Sequence, residues 1–189
     1  MIGTSRQNWW NDKIELKKWL AVYDKKQSKW DRDTERRLGE KLRKSKSLTR
    51  NDLATMVNWK FQGLPGRLKQ NMARLSNFPD NQVVTIFKEA ITATDEIERI
   101  RRLDMLPSVG PAMISVILTF YDPDEYGVLD IHVWRELFGP EPDNLFQGPK
   151  CLVTFLHHIR SIARKHRLGA REVEKAIFQR NYDESSRMN

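Results

Sequence analysis

Asp130 lies in the run Tyr126-Gly127-Val128-Leu129-Asp130-Ile131-His132-Val133-Trp134-Arg135, an acid between apolar residues at the expected start of a helix. Two roles suit a carboxylate in that setting. As an N-cap it satisfies backbone amides that have no helical partner, and it stabilises the helix by about 1 kcal/mol. As a general base it activates water, a task that needs an ionised carboxylate within hydrogen-bonding reach of the reacting centre. The roles are compatible. His132 and Arg135 follow at a spacing of three and so share one helix face. His132 reads as a packed or hydrogen-bonded residue, and Arg135 as the partner of a nearby carboxylate or helix C-terminus.

Upstream stands the second informative stretch, Leu106-Pro107-Ser108-Val109-Gly110-Pro111-Ala112. A helix carrying Ile97, Ile100 and Leu103 precedes it. A second helix, opened by Pro111, carries Met113, Val116, Ile117 and Phe120. Proline suits a first helical position because its missing N–H would have had no partner there. Gly110 is expected to give a tight turn and a close approach to another surface. The resulting turn offers free amides at a helix N-terminus, a ready receptor for an anion such as a DNA phosphate. Such contacts fix register and carry no sequence information.

The order and spacing of these two stretches resemble the helix-hairpin-helix base-excision DNA glycosylases (the HhH-GPD superfamily), which include endonuclease III and adenine- and 8-oxoguanine-specific enzymes. In that family the hairpin is followed, at the matching distance, by an apolar residue, Asp, any residue, His, two apolar residues and Arg. Asp130, His132 and Arg135 occupy those positions. The resemblance covers approximately Leu48 to Phe178, and residues before about Lys46 have no placed counterpart. It implies an all-α, glycosylase-like helical fold and double-stranded DNA as partner. Asp130 would activate water, or stabilise the oxocarbenium-like sugar, as the N-glycosidic bond of a damaged or modified base breaks.

Where the bifunctional members carry a nucleophilic lysine, two positions after the hairpin glycine, this chain has Ala112. The departure implies hydrolysis by water and no lyase acting from that position; Lys60 and Lys150 are the other candidate amines. The family's polar pair at an earlier helix end corresponds to Trp59-Lys60. Trp59 would stack on or replace a flipped base and Lys60 would meet a phosphate, against the plainer reading of a core Trp and a solvated Lys. The family also holds a monovalent cation on hairpin carbonyls. Here those would belong to Asp104, Leu106 and Val109, with Na+ or K+ as the ion and no other cofactor required.

The single cysteine, Cys151, excludes the family's optional iron–sulfur cluster and any disulfide within the chain. It fits a reducing cytoplasm. Among 189 residues, Lys and Arg total 33 against 25 acids, a net charge of +8 that favours a polyanionic partner. The hydrophobic fraction of 39%, with six Trp and eight Phe, suffices for a real core. Met1 leads into polar residues and no apolar stretch approaches a membrane span, so neither leader nor membrane is expected.

Helical periodicity recurs throughout and strand signals are nearly absent. Helices are expected over Trp10 to Tyr23 and in the charged segment Lys25 to Lys46, whose thin apolar stripe is Trp30, Leu38 and Leu42. Further helices start at the Thr49/Asp52 capping pair, after Pro79, and at Thr94-Asp95-Glu96. The last two run from Phe146 to Arg167 and onward from Ala170, with Gly169 as a C′ glycine. His157, His158 and His166 read as ordinary helix residues. The organisation expected is an N-terminal helical extension (1–46), a glycosylase-like core (47–182) and a frayed tail (183–189), as a monomer. A second reading stays open: a catalytically inactive protein of this fold that binds damaged or modified DNA.

Overall fold

Short-range signals set most helix starts. In a computed structural model that describes residues 8–187, α1 (Lys13–Lys26) begins at Asp12, whose carboxylate accepts the Ile14 amide at 2.8 Å. Ser28 caps α2 (Lys29–Ser45). The Thr49/Asp52 pair forms a reciprocal capping box on α3 (Arg50–Phe61). Prolines open α4 (Pro65–Ser76), α7 (Pro111–Tyr121) and α9 (Pro149–His166), while α5 (Asp80–Thr92) follows Pro79. Asp95 caps α6 (Glu96–Asp104) and Asp130 caps α8 (Ile131–Phe138); α10 (Ala170–Arg187) ends the described chain. These ten α-helices and one short 3-10 turn leave no strand among the described residues, so the fold is all-α.

Several boundaries differ from the periodicity. The first helix starts at Lys13, because Trp9–Asn11 form a separate 3-10 turn and Asp12 restarts the chain in extended conformation. The ninth starts at Pro149, after Gly148 at φ 64°, which leaves Phe146 outside it and 44% exposed. The left-handed residue ending α9 is Arg167 at φ 53°, not Gly169. Gly169 is small for another reason: a Cβ there would lie 3.1 Å from Asp124 Oδ1 and 3.4 Å from Pro123 O. Trp30, expected on an apolar stripe, is 41% exposed, and α2 instead buries Thr34, Leu38, Gly39 and Leu42. Past residue 182 the last helix runs on to Arg187, tied back by Lys26 to Asp183 at 2.7 Å. The leader reading at Met1 and the end of the tail, Met188 and Asn189, lie outside the described residues.

α7 forms the centre. Every residue from Pro111 to Phe120 except Ala112 is buried, which matches a helix apolar on nearly all sides. α2, α3, α6 and α9 pack around it. The two N-terminal helices join this arrangement closely. α1 lies along α10, and α2 lies on α7 at Gly39, where a Cβ would come within 2.7 Å of Phe120 O. Among the described residues, no helix is long and apolar enough to cross a membrane.

Candidate active site and hairpin

The turn between α6 and α7 is anchored by Leu106 and Val109, which are 2% and 4% exposed. Ser108 supplies its left-handed position at φ 65°, and its hydroxyl donates to Asn71 O in α4 at 3.1 Å. Gly110 is extended (φ −98°, ψ −173°), a conformation open to any residue, so the tight turn assigned to it from sequence belongs to Ser108. A Cβ at Gly110 would have room, lying 3.8 Å from Phe146 O among the described residues. Among the described residues, the amides of Gly110, Ala112 and Met113 find no acceptor, and Pro111 has no amide to satisfy. Three unpaired donors thus stand at the positive end of α7, where an anion is favoured. The Leu106 carbonyl accepts the Val109 amide at 3.3 Å, while those of Asp104 and Val109 accept no backbone bond among the described residues. All three carbonyls retain lone pairs for a monovalent cation.

A buried serine connects this turn to Asp130. Ser115 Oγ accepts the Leu129 amide at 2.8 Å and donates to Ala112 O at 2.6 Å. The first turn of α7 and the extended segment entering α8 are therefore held in fixed relation.

Asp130 occupies both of its carboxylate oxygens. Oδ1 accepts the His132 amide at 3.0 Å, the capping geometry, and Oδ2 accepts Lys60 Nζ at 3.0 Å. Lys60 closes the last turn of α3, and the two side chains are only 16% and 21% exposed. Burial alone would raise the carboxyl pKa. The Lys60 charge and the two hydrogen bonds outweigh it and hold Asp130 below the usual aspartate value. Lys60 is thus paired with Asp130 and largely withdrawn from solvent.

Beside this pair opens a cavity of about 200 Å³. Tyr23 of α1, Trp59 of α3 and Phe178 of α10 give it aromatic walls; Asp31, Arg171 and Glu174 join Lys60 and Asp130 as its charged lining. Trp59 also packs edge-on against Phe120 at 5.1 Å, so it serves the core and the cavity together. Its Nε1 is buried without a partner among the described residues.

Arg171, 5% exposed, organises the cavity's inner side. It donates to Glu35 at 2.7 Å, to the Tyr23 hydroxyl at 3.2 Å and to Glu174, and it lies over the Tyr23 and Trp59 rings. Burial raises Glu35, but Arg171 and Lys175 reverse the sign and hold it low. For Glu174 burial prevails over Arg171 and the pKa rises, and burial pushes the Tyr23 phenol up to about 12. Gly127 permits this arrangement: a Cβ there would be 2.9 Å from Glu174 Cβ.

Sequence reading missed Tyr23, Glu35, Arg171, Glu174 and Phe178. The Arg171/Glu174 spacing of three was legible as an ion pair, but nothing in it signals burial. The remaining candidates lie apart from the cavity lining. His132 Nδ1 sits 3.0 Å from Asn181 Oδ1, edge-on to Phe178 and Tyr182. Arg135 makes a two-bond pair with Glu141, and Lys150 is exposed near the start of α9. His157 is exposed, His158 packs on Phe138, and His166 is buried with Nε2 unpartnered among the described residues. No group of three or more His, Cys, Asp or Glu among the described residues could hold a metal ion.

Compared with models of known protein families, with curated proteins and with solved structures, the chain has no significant match.

Proposed function

We propose that the chain is a DNA N-glycosylase of the helix-hairpin-helix type, acting on a damaged or modified base in double-stranded DNA by hydrolysis. The observation that carries this reading is Asp130. Its carboxylate is kept ionised by Lys60 at the edge of an aromatic-lined cavity, and Ser115 fixes it relative to three unpaired hairpin amides. In this reading the amides of Gly110, Ala112 and Met113 hold one phosphate, and the target base turns out of the stack into the cavity. Asp130 orients a water toward C1′ and stabilises positive charge on the sugar. The C1′–N bond breaks, water oxygen bonds to C1′, the water proton passes to Asp130, the departing base takes a proton from solvent, and Asp130 returns its proton to solvent. A monovalent cation on the Asp104, Leu106 and Val109 carbonyls would brace the turn. Ala112, in the position of the bifunctional members' lysine, favours water as nucleophile.

One observation favours the alternative, a protein that binds such DNA without chemistry: both Asp130 oxygens already hold partners, Lys60 and the His132 amide. The two readings part in one assay. Duplexes carrying alkylated, oxidised, deaminated or mismatched bases are incubated with the protein and then cleaved with alkali at abasic sites. The enzyme reading expects strand breaks that Asp130→Asn abolishes; the binding reading expects none, with duplex affinity the same in both proteins.

A further inference from the structure

Within the cavity, Glu174 has one oxygen to spare. Its Oε2 accepts the Val128 amide at 3.3 Å and the Arg171 guanidinium. Its Oε1 receives no hydrogen bond among the described residues, and Glu174 is part of the cavity lining. Arg171 cannot swing away to serve a ligand, because Glu35, Glu174 and Tyr23 already engage it. Its effect is to hold Glu174 in place, with a free acceptor presented among Tyr23, Trp59 and Phe178. A flat, unsaturated ring suits those walls, and the polar atom that suits a carboxylate oxygen is an N–H. A site that offers a buried acceptor rejects analogues lacking the matching donor far more strongly than it rejects a change of size.

Resting on the glycosylase reading above, we infer that this cavity selects a nucleobase presenting an N–H donor on its edge remote from the sugar. Glu174 Oε1 accepts that hydrogen bond, and the three aromatic side chains hold the ring. The substrate class is then bases with an imide or amino N–H, such as uracil, hypoxanthine or adenine types, in preference to bases whose edge nitrogen carries an alkyl group. The first helix takes part in the selection through Tyr23, which fixes Arg171 and forms one wall.

The test uses matched pairs, uracil against 3-methyluracil and hypoxanthine against 1-methylhypoxanthine. Each base is placed opposite a tetrahydrofuran site so that neither member is paired. Single-turnover excision is measured for the full chain, and affinity for the same duplexes is measured with Asp130→Asn. The expected result is excision of the N–H member at least about tenfold faster than its methylated partner. Glu174→Gln, which keeps a carbonyl acceptor, should retain the preference, while Glu174→Ala, checked for folding by circular dichroism, should lose it. Equal excision of both members would overturn the inference and leave the glycosylase reading standing. No excision, with Asp130→Asn still binding the N–H member more tightly, would remove the glycosylase reading and support the selection. No excision and no preference in binding would remove both.

Discussion

Lys60 Nζ meets Asp130 Oδ2 at 3.0 Å across 70 positions of sequence, joining the end of α3 to the cap of α8. The pair favours the ionised form of the residue on which the proposed chemistry depends. Burial alone would push the Asp130 carboxyl upward; the Lys60 charge, together with the His132 amide and the Lys60 hydrogen bond, holds it below the usual aspartate value. A base that must take a proton from water is useful only when ionised.

Replacing that cation should therefore change a pH profile. Lys60→Met is expected to move the acid limb of the excision rate to higher pH and to lower the rate near neutrality. Because the folded pKa of Asp130 is depressed, its stabilising contribution is present above its unfolded value and is lost as pH falls through the folded value. The variant should lack that contribution at neutral pH and lose about 1–3 kcal/mol in urea unfolding, less than for a fully buried pair because both groups keep some solvent contact. With water as the nucleophile, borohydride should trap no covalent adduct on abasic DNA. An adduct that vanishes in Lys60→Met would make Lys60 the attacking amine instead.

At the hairpin, Gly110→Glu should fold normally, since φ −98° suits any residue and a Cβ has room. It places a carboxylate over the three free amides of the turn. Duplex affinity should fall about tenfold or more, with a shallower dependence on salt as one phosphate contact is lost. Unchanged affinity with a native circular-dichroism spectrum would remove the hairpin from the DNA interface.

Gly127→Ala tests the packing beneath the cavity. Its methyl would approach Glu174 Cβ to 2.9 Å and Ala170 O to 3.3 Å, so α10 must shift. A loss of about 1–3 kcal/mol is expected in thermal or urea unfolding. A stability equal to that of the parent would mean that α10 does not sit as described.

Arg171→Met should be more damaging than either. It strands Glu35 and Glu174 without their shared cation, and breaking such a buried pair costs about 3–5 kcal/mol. The depressed Glu35 pKa gives stability that is present above the unfolded value and lost in acid, so this variant should lose less than the parent on acidification. Equal pH dependence in the two unfolding curves would contradict the assignment.

Features decided within a few residues are legible in the sequence. The Thr49/Asp52 box, the Pro111 start and the Asp130 cap each depend on neighbouring amides, and periodicity marks faces along one helix. Features decided by convergence are not. Lys60 meets Asp130, and Tyr23 meets Arg171, only because α3 packs on α7 and α1 on α10. Composition misleads in the turns: the left-handed positions fall to Ser108 and Arg167, while the nearby Gly110 and Gly169 adopt other conformations. In the charged second helix, the burial of Leu38 and Leu42 is foreseeable but the exposure of Trp30 is not, since its surroundings are set by the rest of the fold.

The central claim is that Asp130 activates the water that releases a base. Its most direct measurement is the single-turnover rate of base release by the parent and by Asp130→Asn, from one duplex that both bind, with affinity recorded in parallel. The variant should release the base at least about a hundredfold more slowly, at unchanged affinity. Base release at the parental rate by Asp130→Asn would contradict it.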